Sequence, residues 1–259
     1  MIFALIALLS AVAFFGLMVA ASEAGWRRGR ARLARDSGEP AKGAASAEAA
    51  VFGLFGLLVA FTFSGAASRF EDRRHLITEE ANAIGTAYLR LDFLSGDAQP
   101  ALRDLFRKYL DVRYAAYRQV NDSAVTEAKL AETANLQSAI WSTALSAVRE
   151  QGPPTPATAL LIGALNEMID ITTTRQMATR NHPPIIVFVL LGAFSLTCSA
   201  LVGYGISQNP ARSWLHSITF AAVVSVTVYV IVDLEFPRVG LIRVDSADAA
   251  IFELNEIMR

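Results

Sequence analysis

Hydrophobic and polar positions follow one continuous rhythm from residue 49 to residue 92. Residues 49–68 carry no charge and make a run of roughly twenty residues, enough to cross a bilayer as a helix. Charges then begin at Arg69, Glu71, Asp72, Arg73 and Arg74, yet the apolar beat continues at Ile77, Ala81, Ile84, Tyr88 and Leu91. Steps of four and three are one face of an α-helix. The pattern predicts a single long helix, its first half a membrane span and its second half in water. Stepping by about 100° per residue separates two stripes on the span. Gly53, Gly56, Ala60, Ser64 and Ala67 form a small-residue stripe, and Phe52, Phe55, Val59, Phe63 and Phe70 a bulky one. Small residues let helices approach closely where lipid gives no hydrophobic drive for association, so a packed helix pair is one reading. The other sets one stripe on the axis of an oligomer, where apolar rings close a pore by dewetting.

The same reading places three more spans. Residues 1–21 are uncharged and long enough to span; without a basic start they suit a retained helix better than a signal peptide. Residues 185–206 and 213–232 are the third and fourth, joined by a turn at Asn209 and Pro210. Residues 22–48 read as a basic loop with Arg27, Arg28, Arg30, Arg32, Arg35 and Lys42, a topology signal or lipid-headgroup contact. Trp26, Tyr204 and Trp214 then fall at one membrane face, as interfacial aromatics do.

Between the second and third spans, residues 69–182 show helical periodicity with no strand alternation. Ser95, Gly96, Asp97 and Pro100 interrupt the first helix. Leu102, Phe106, Tyr109 and Leu110 mark a second, and Leu136, Ile140 and Val148 a third that stops at Gly152, Pro153 and Pro154. A fourth covers about residues 157–179. The expectation is an all-α membrane protein: four transmembrane helices, a helical bundle inserted between spans two and three, and a polar tail at 233–259.

Composition agrees. Of 259 residues 53% are hydrophobic and 18% charged, against about a quarter charged in a typical soluble domain. The net charge of -1 gives no reason to expect nucleic acid. A single cysteine, Cys198, excludes an intrachain disulfide or a cysteine-based metal site. No zinc-protease helix, phosphate loop or nucleophile elbow is present, so neither an enzyme nor a cofactor is expected. His75, His182 and His216 are far apart, each near a span boundary, and read as interfacial residues.

Two polar clusters stand out. Asn166, Glu167, Asp170, Thr172, Thr173, Thr174 and Arg175 lead toward the third span, with Asn166 and Asp170 one helical turn apart. They form either a brace between bundle helices or, with Glu167 and Arg175, a polar vestibule that concentrates ions when repeated in an oligomer. Arg69, Glu71, Asp72 and Arg73, with Arg74, are either intrahelical pairs or pore-mouth charges.

At these positions the chain resembles a known family. Residues 57–70 with the charged helix after them, ALNEMIDITTTR at 164–175, His182-Pro183-Pro184 and DLEFPRVGLIRVD at 233–245 resemble the bacterial bestrophin-like family of four-span membrane proteins. The AF and RF pattern ending the second span and the Pro237-x-x-Gly240 turn resemble, more distantly, the bestrophin ion channels. That resemblance implies a homo-oligomer, a pentamer in bestrophins, passing a small inorganic ion along an axis lined by the second span. It also implies a constriction at Phe55, Val59 and Phe63, and a cytoplasmic helical region in a protein of the cell inner membrane. No acidic run like the bestrophin calcium clasp follows the fourth span, so calcium gating is not implied. The basic first loop argues for the opposite orientation. A non-conducting membrane sensor or scaffold, whose bundle binds a ligand or partner, is the alternative.

Overall fold

The computed structural model describes residues 2–35, 44–118, 123–209, 214–238 and 240–258. Lys42 and Pro210, which the sequence placed in connecting loops, lie outside the described residues. The described residues form eight α-helices, in chain order α1 Ile2–Arg35, α2 Ala44–Leu89, α3 Ala98–Arg118, α4 Ser123–Glu150, α5 Pro156–Arg180, α6 Ile185–Ile206, α7 Trp214–Glu235 and α8 Asp245–Ile257. There is no strand among the described residues. Four helical stretches, carried by α1, α2, α6 and α7, are long and apolar enough to cross a membrane. The chain is therefore an all-α membrane protein.

The long helix is continuous: α2 runs for 46 residues without a break. The first helix is longer than its apolar run. Arg27, Arg28, Arg30, Arg32 and Arg35, expected in a loop, extend α1 as helix to Arg35. Arginine is a good helix former, and Arg32 and Arg35 sit in the last turn, where cations favour the helix dipole.

The chain divides into two compact units. The first, Met1–Phe70 with His182–Ile242, gathers α1, the first part of α2, α6 and α7. Met18, Phe55, Leu191, Cys198, Val224 and Ile231 are among the side chains of its core. Leu5, Leu9, Val12, Leu54, Phe61, Ile185, Leu215 and Val226 are exposed on its outside. An apolar exterior of this extent is expected of a surface meant for lipid. The closest packing is between α1 and α6. A Cβ on Gly25 would stand 1.9 Å from the Ala200 carbonyl oxygen, and one on Gly203 1.8 Å from that of Ser22. Ser199 Oγ reinforces this seam by donating to the Met18 carbonyl at 2.6 Å, and Ser22 Oγ ties α1 to α7 by donating to Ser217 Oγ at 2.8 Å.

The second unit, Glu71–Asn181 with Arg243–Arg259, is a helical bundle. Ile77, Ala81 and Ile84 are buried on the predicted face of α2, Leu91 is buried in the 3-10 turn Arg90–Phe93 that follows it, and Leu102, Phe106, Tyr109 and Leu110 are buried on the predicted face of α3. Breaks fall where the sequence signals them. Gly96, before α3, and Gly152, after α4, both adopt positive φ (78° and 102°), which suits glycine. Thr155 caps α5 through a reciprocal pair with Thr158, and Pro156 occupies its first turn. The tail is more than polar: in α8, Ile251 is buried and Phe252 packs on Tyr114 with ring centroids 5.5 Å apart.

Candidate functional site

Within the first unit, α2 has two faces. Phe55 is 7% exposed and belongs to the core, Val59 packs against that core half-buried, and Phe63 is 44% exposed. Phe52 meets the edge of the Phe220 ring at 6.1 Å. The three residues expected at a constriction thus do not share one open surface; Phe63 alone of them is exposed. Gly53, Gly56, Ala60 and Ser64 are exposed, and a Cβ on Gly53 or Gly56 would meet nothing within 4 Å. Ala67, the last member of the small-residue stripe, packs against the core, but among the described residues Gly53 and Gly56 have nothing packed on them, whereas the close glycine packing lies between α1 and α6.

Where the spans of this unit end, buried carboxylates organise the backbone. Glu235 is fully buried; Arg69 Nε donates to its two oxygens at 2.9 and 3.0 Å, and His182 Nδ1 lies 3.3 Å from Oε1. The His182 ring stacks on Phe236 at 4.7 Å. Asp233, two residues earlier, accepts from the backbone N–H of Leu241 at 3.0 Å and of Ile242 at 2.7 Å. A Cβ on Gly240 would overlap the Asp233 carboxylate at 1.3 Å, so the turn admits only glycine there without rearrangement. Asp233, near the end of α7, thus clamps the backbone of Leu241 and Ile242 just beyond that helix.

In the second unit the expected mouth and vestibule charges divide between inside and outside. Arg73 is 6% exposed and donates to the Ala178 and Asn181 carbonyls at 3.2 and 3.0 Å, satisfying acceptors at the end of α5. Glu71 pairs with Arg74 at 3.0 Å on the surface, and Asp72 is exposed beside it. Asn166 donates to Asp170 at 2.8 Å within α5; both are exposed, as is Glu167. Arg175 points away from them into the core, where it donates to Glu80 Oε2. Arg113 Nε donates to Glu80 Oε1 at 2.7 Å. One buried carboxylate on α2 thereby ties α3 to α5, with Glu80 at 0%, Arg113 at 1% and Arg175 at 2% exposure. Beside this cluster Gln137 Nε2 bonds Thr172 Oγ1 at 3.1 Å and Tyr109 Oη at 3.3 Å.

The inter-helical brace suspected near residue 172 exists, but its members are Arg175 and Thr172, with Glu80, Arg113 and Gln137 unforeseen. Spacing held a signal for two of them. Glu80 falls three after Ile77 and four before Ile84, and Arg113 four after Tyr109, each on its helix's buried stripe. A charge on that stripe must find a partner inside. Among the described residues no group of three His, Cys, Asp or Glu side chains is placed to hold a metal ion.

No curated protein and no solved structure matches the chain. The model of the Bestrophin-like domain matches residues 15–249, from the middle of α1 through the other three spans and the turn after α7, and the protein belongs to the Bestrophin-like family.

Proposed function

We propose that the protein is a homo-oligomeric ion channel that passes a small inorganic ion along an axis lined by α2. Membership of the Bestrophin-like family, a channel family rather than an enzymatic one, suggests an ion channel in general. The observation that carries the finer reading is the face of α2: Gly53, Gly56, Ala60 and Ser64 run exposed along it, close to the exposed Phe63 ring. A stripe without bulk suits a helix that meets copies of itself, and rings repeated about an axis close a path by excluding water. Phe63 is the principal constriction. Phe55 and Val59 join it only in a state where α2 has turned out of the core, which gives the pore a means of gating.

The exposed Asp72, Asn166, Glu167 and Asp170, repeated in each subunit, supply mouth and vestibule charges, while Arg69, Arg73 and Arg175 hold the frame. By family resemblance the assembly is a pentamer in the cell inner membrane, with the helical unit on the cytoplasmic side.

The test is the mass of the detergent-purified complex, followed by ion flux from liposomes containing the same sample. A symmetric oligomer of more than two subunits with flux is expected. Phe63→Ala should raise leak flux several-fold; unchanged flux with normal assembly removes that ring from the gate. A monomer or dimer without flux overturns the channel reading in favour of a sensor or scaffold.

A further inference from the structure

Between α1 and α7 the first unit forms a half-open cavity of about 380 Å³, within the range of roughly 300–1,000 Å³ usual for small-molecule sites. Its walls are mainly apolar: Ala11 and Phe14 come from α1, and Val228 and Val232 from α7. Four polar side chains also line it, and three of those are engaged. Ser10 Oγ donates to the Ala7 carbonyl at 2.8 Å. The Asp233 carboxylate takes the N–H groups of Leu241 and Ile242, and Tyr229 Oη lies 3.4 Å from it.

Ser225 is the exception. It is 5% exposed, and its Oγ has no hydrogen-bond partner. Hydroxyls inside apolar helices normally return to the carbonyl one turn back. Ser195, Thr197 and Thr227 do so here, at 2.7, 2.8 and 2.8 Å. A buried hydroxyl left without a partner costs free energy that a ligand would recover by bonding it.

We infer that this cavity binds a single-chain amphiphile with a neutral hydroxyl head, its oxygen bonded to Ser225 and its alkyl chain along Ala11, Phe14, Val228 and Val232. Charge selects the head. Asp233 is 4% exposed and lines the same cavity, so a second carboxylate would meet like charge in a low-dielectric setting. An alcohol offers both a donor and an acceptor and brings no charge. The site is independent of whether the protein conducts.

The experiment uses the full chain in phosphatidylcholine nanodiscs and an octanol carrying a diazirine on its alkyl chain, photolysed and mapped by peptide mass spectrometry. Label is expected on residues 7–14 and 225–236, displaced by unlabelled octanol and not by octanoate. Ser225→Ala keeps the space and removes the hydrogen bond, so octanol competition should weaken about 2- to 10-fold. Ala11→Phe fills the cavity from the opposite wall and should abolish the labelling. Label spread evenly over lipid-facing helices would mean nonspecific partition and overturn the proposal. Equal competition by octanoate would reduce the cavity to an acyl-chain slot, and cross-linking to a second copy without octanol competition would make it a subunit contact; each refutes head-group recognition. These outcomes are read on the unmodified protein, so they stand even if a variant fails to fold.

Discussion

Each of the two units is built on its own interior chemistry, and the two chemistries are opposite. In the first, α1 and α6 touch backbone to backbone, with Gly25 and Gly203 leaving no room for a Cβ. In the second, the helices bury large side chains such as Phe106 and Tyr109 around a carboxylate shared by two arginines. Each choice follows from the solvent that the composition predicts. Lipid offers no hydrophobic gain on bringing helices together, so close van der Waals contact must supply the attraction. Water rewards apolar burial, and a bundle with that reserve tolerates a desolvated ion cluster whose geometry fixes which helix meets which. Gly53 and Gly56 of α2 are informative against this background: they have the composition of the α1–α6 seam without, among the described residues, its partner.

The sharpest break in the ionic half is Glu80→Gln. It keeps size and hydrogen-bonding capacity but removes the charge that Arg113 and Arg175 share. Breaking a buried pair by removing one partner typically costs about 3–5 kcal/mol. Chemical denaturation in detergent, with hydrogen exchange resolved by helix, should show the loss in α3 and α5 and leave α1 and α6 protected. Equal loss in both units would show that the cluster is not a local fastener.

A matched pair of substitutions tests the glycine half. Gly203→Val drives a branched side chain into the Ser22 backbone, where overpacking costs about 1–3 kcal/mol or more. Gly56→Val adds the same atoms where nothing lies within 4 Å. The expected result is a marked fall in the detergent melting temperature for the first and almost none for the second, with the second instead lowering the yield of the oligomer. If Gly56→Val leaves both assembly and flux untouched, the α2 stripe is a lipid-facing surface and not a subunit contact.

The sequence made this architecture legible because two solvents impose two strong patterns. Uncharged runs marked the spans, and the three-four beat through Ile77, Ala81 and Ile84 carried α2 beyond its uncharged run as a continuous helix. Pairings between distant residues were not legible. Arg175 stood out in ALNEMIDITTTR, but the carboxylate it meets is 95 positions away, and nothing local couples Glu80 to it. Glycine misled for a related reason. Small residues state that something comes close without saying what, so the evident stripe on α2 drew the packing argument that belongs to Gly25, Gly29 and Gly203. Asp233 and Glu235 looked like charges ending a span, yet both are buried ligands of the chain's own groups.

The smallest effect expected is that of Asp170→Asn, and its smallness is what makes it useful. Asp170 is exposed and accepts from Asn166 one turn earlier on α5, a contact within one helix and open to solvent. Pairs of that kind are worth about 0.2–0.5 kcal/mol, and the amide retains a carbonyl acceptor for Asn166. Stability should therefore change by less than the loss at Glu80 by an order of magnitude. The charge itself is removed from every subunit of an oligomer at once, and a ring of carboxylates acts on ions through the summed field and not through one contact. Reversal potentials measured in asymmetric salt should shift toward weaker cation preference, most at low ionic strength, where screening is least. A shift that disappears in high salt would identify Asp170 as a surface charge sensed by the permeating ion. A stable protein with unchanged selectivity at every ionic strength would separate α5 from the ion path and leave that path to α2.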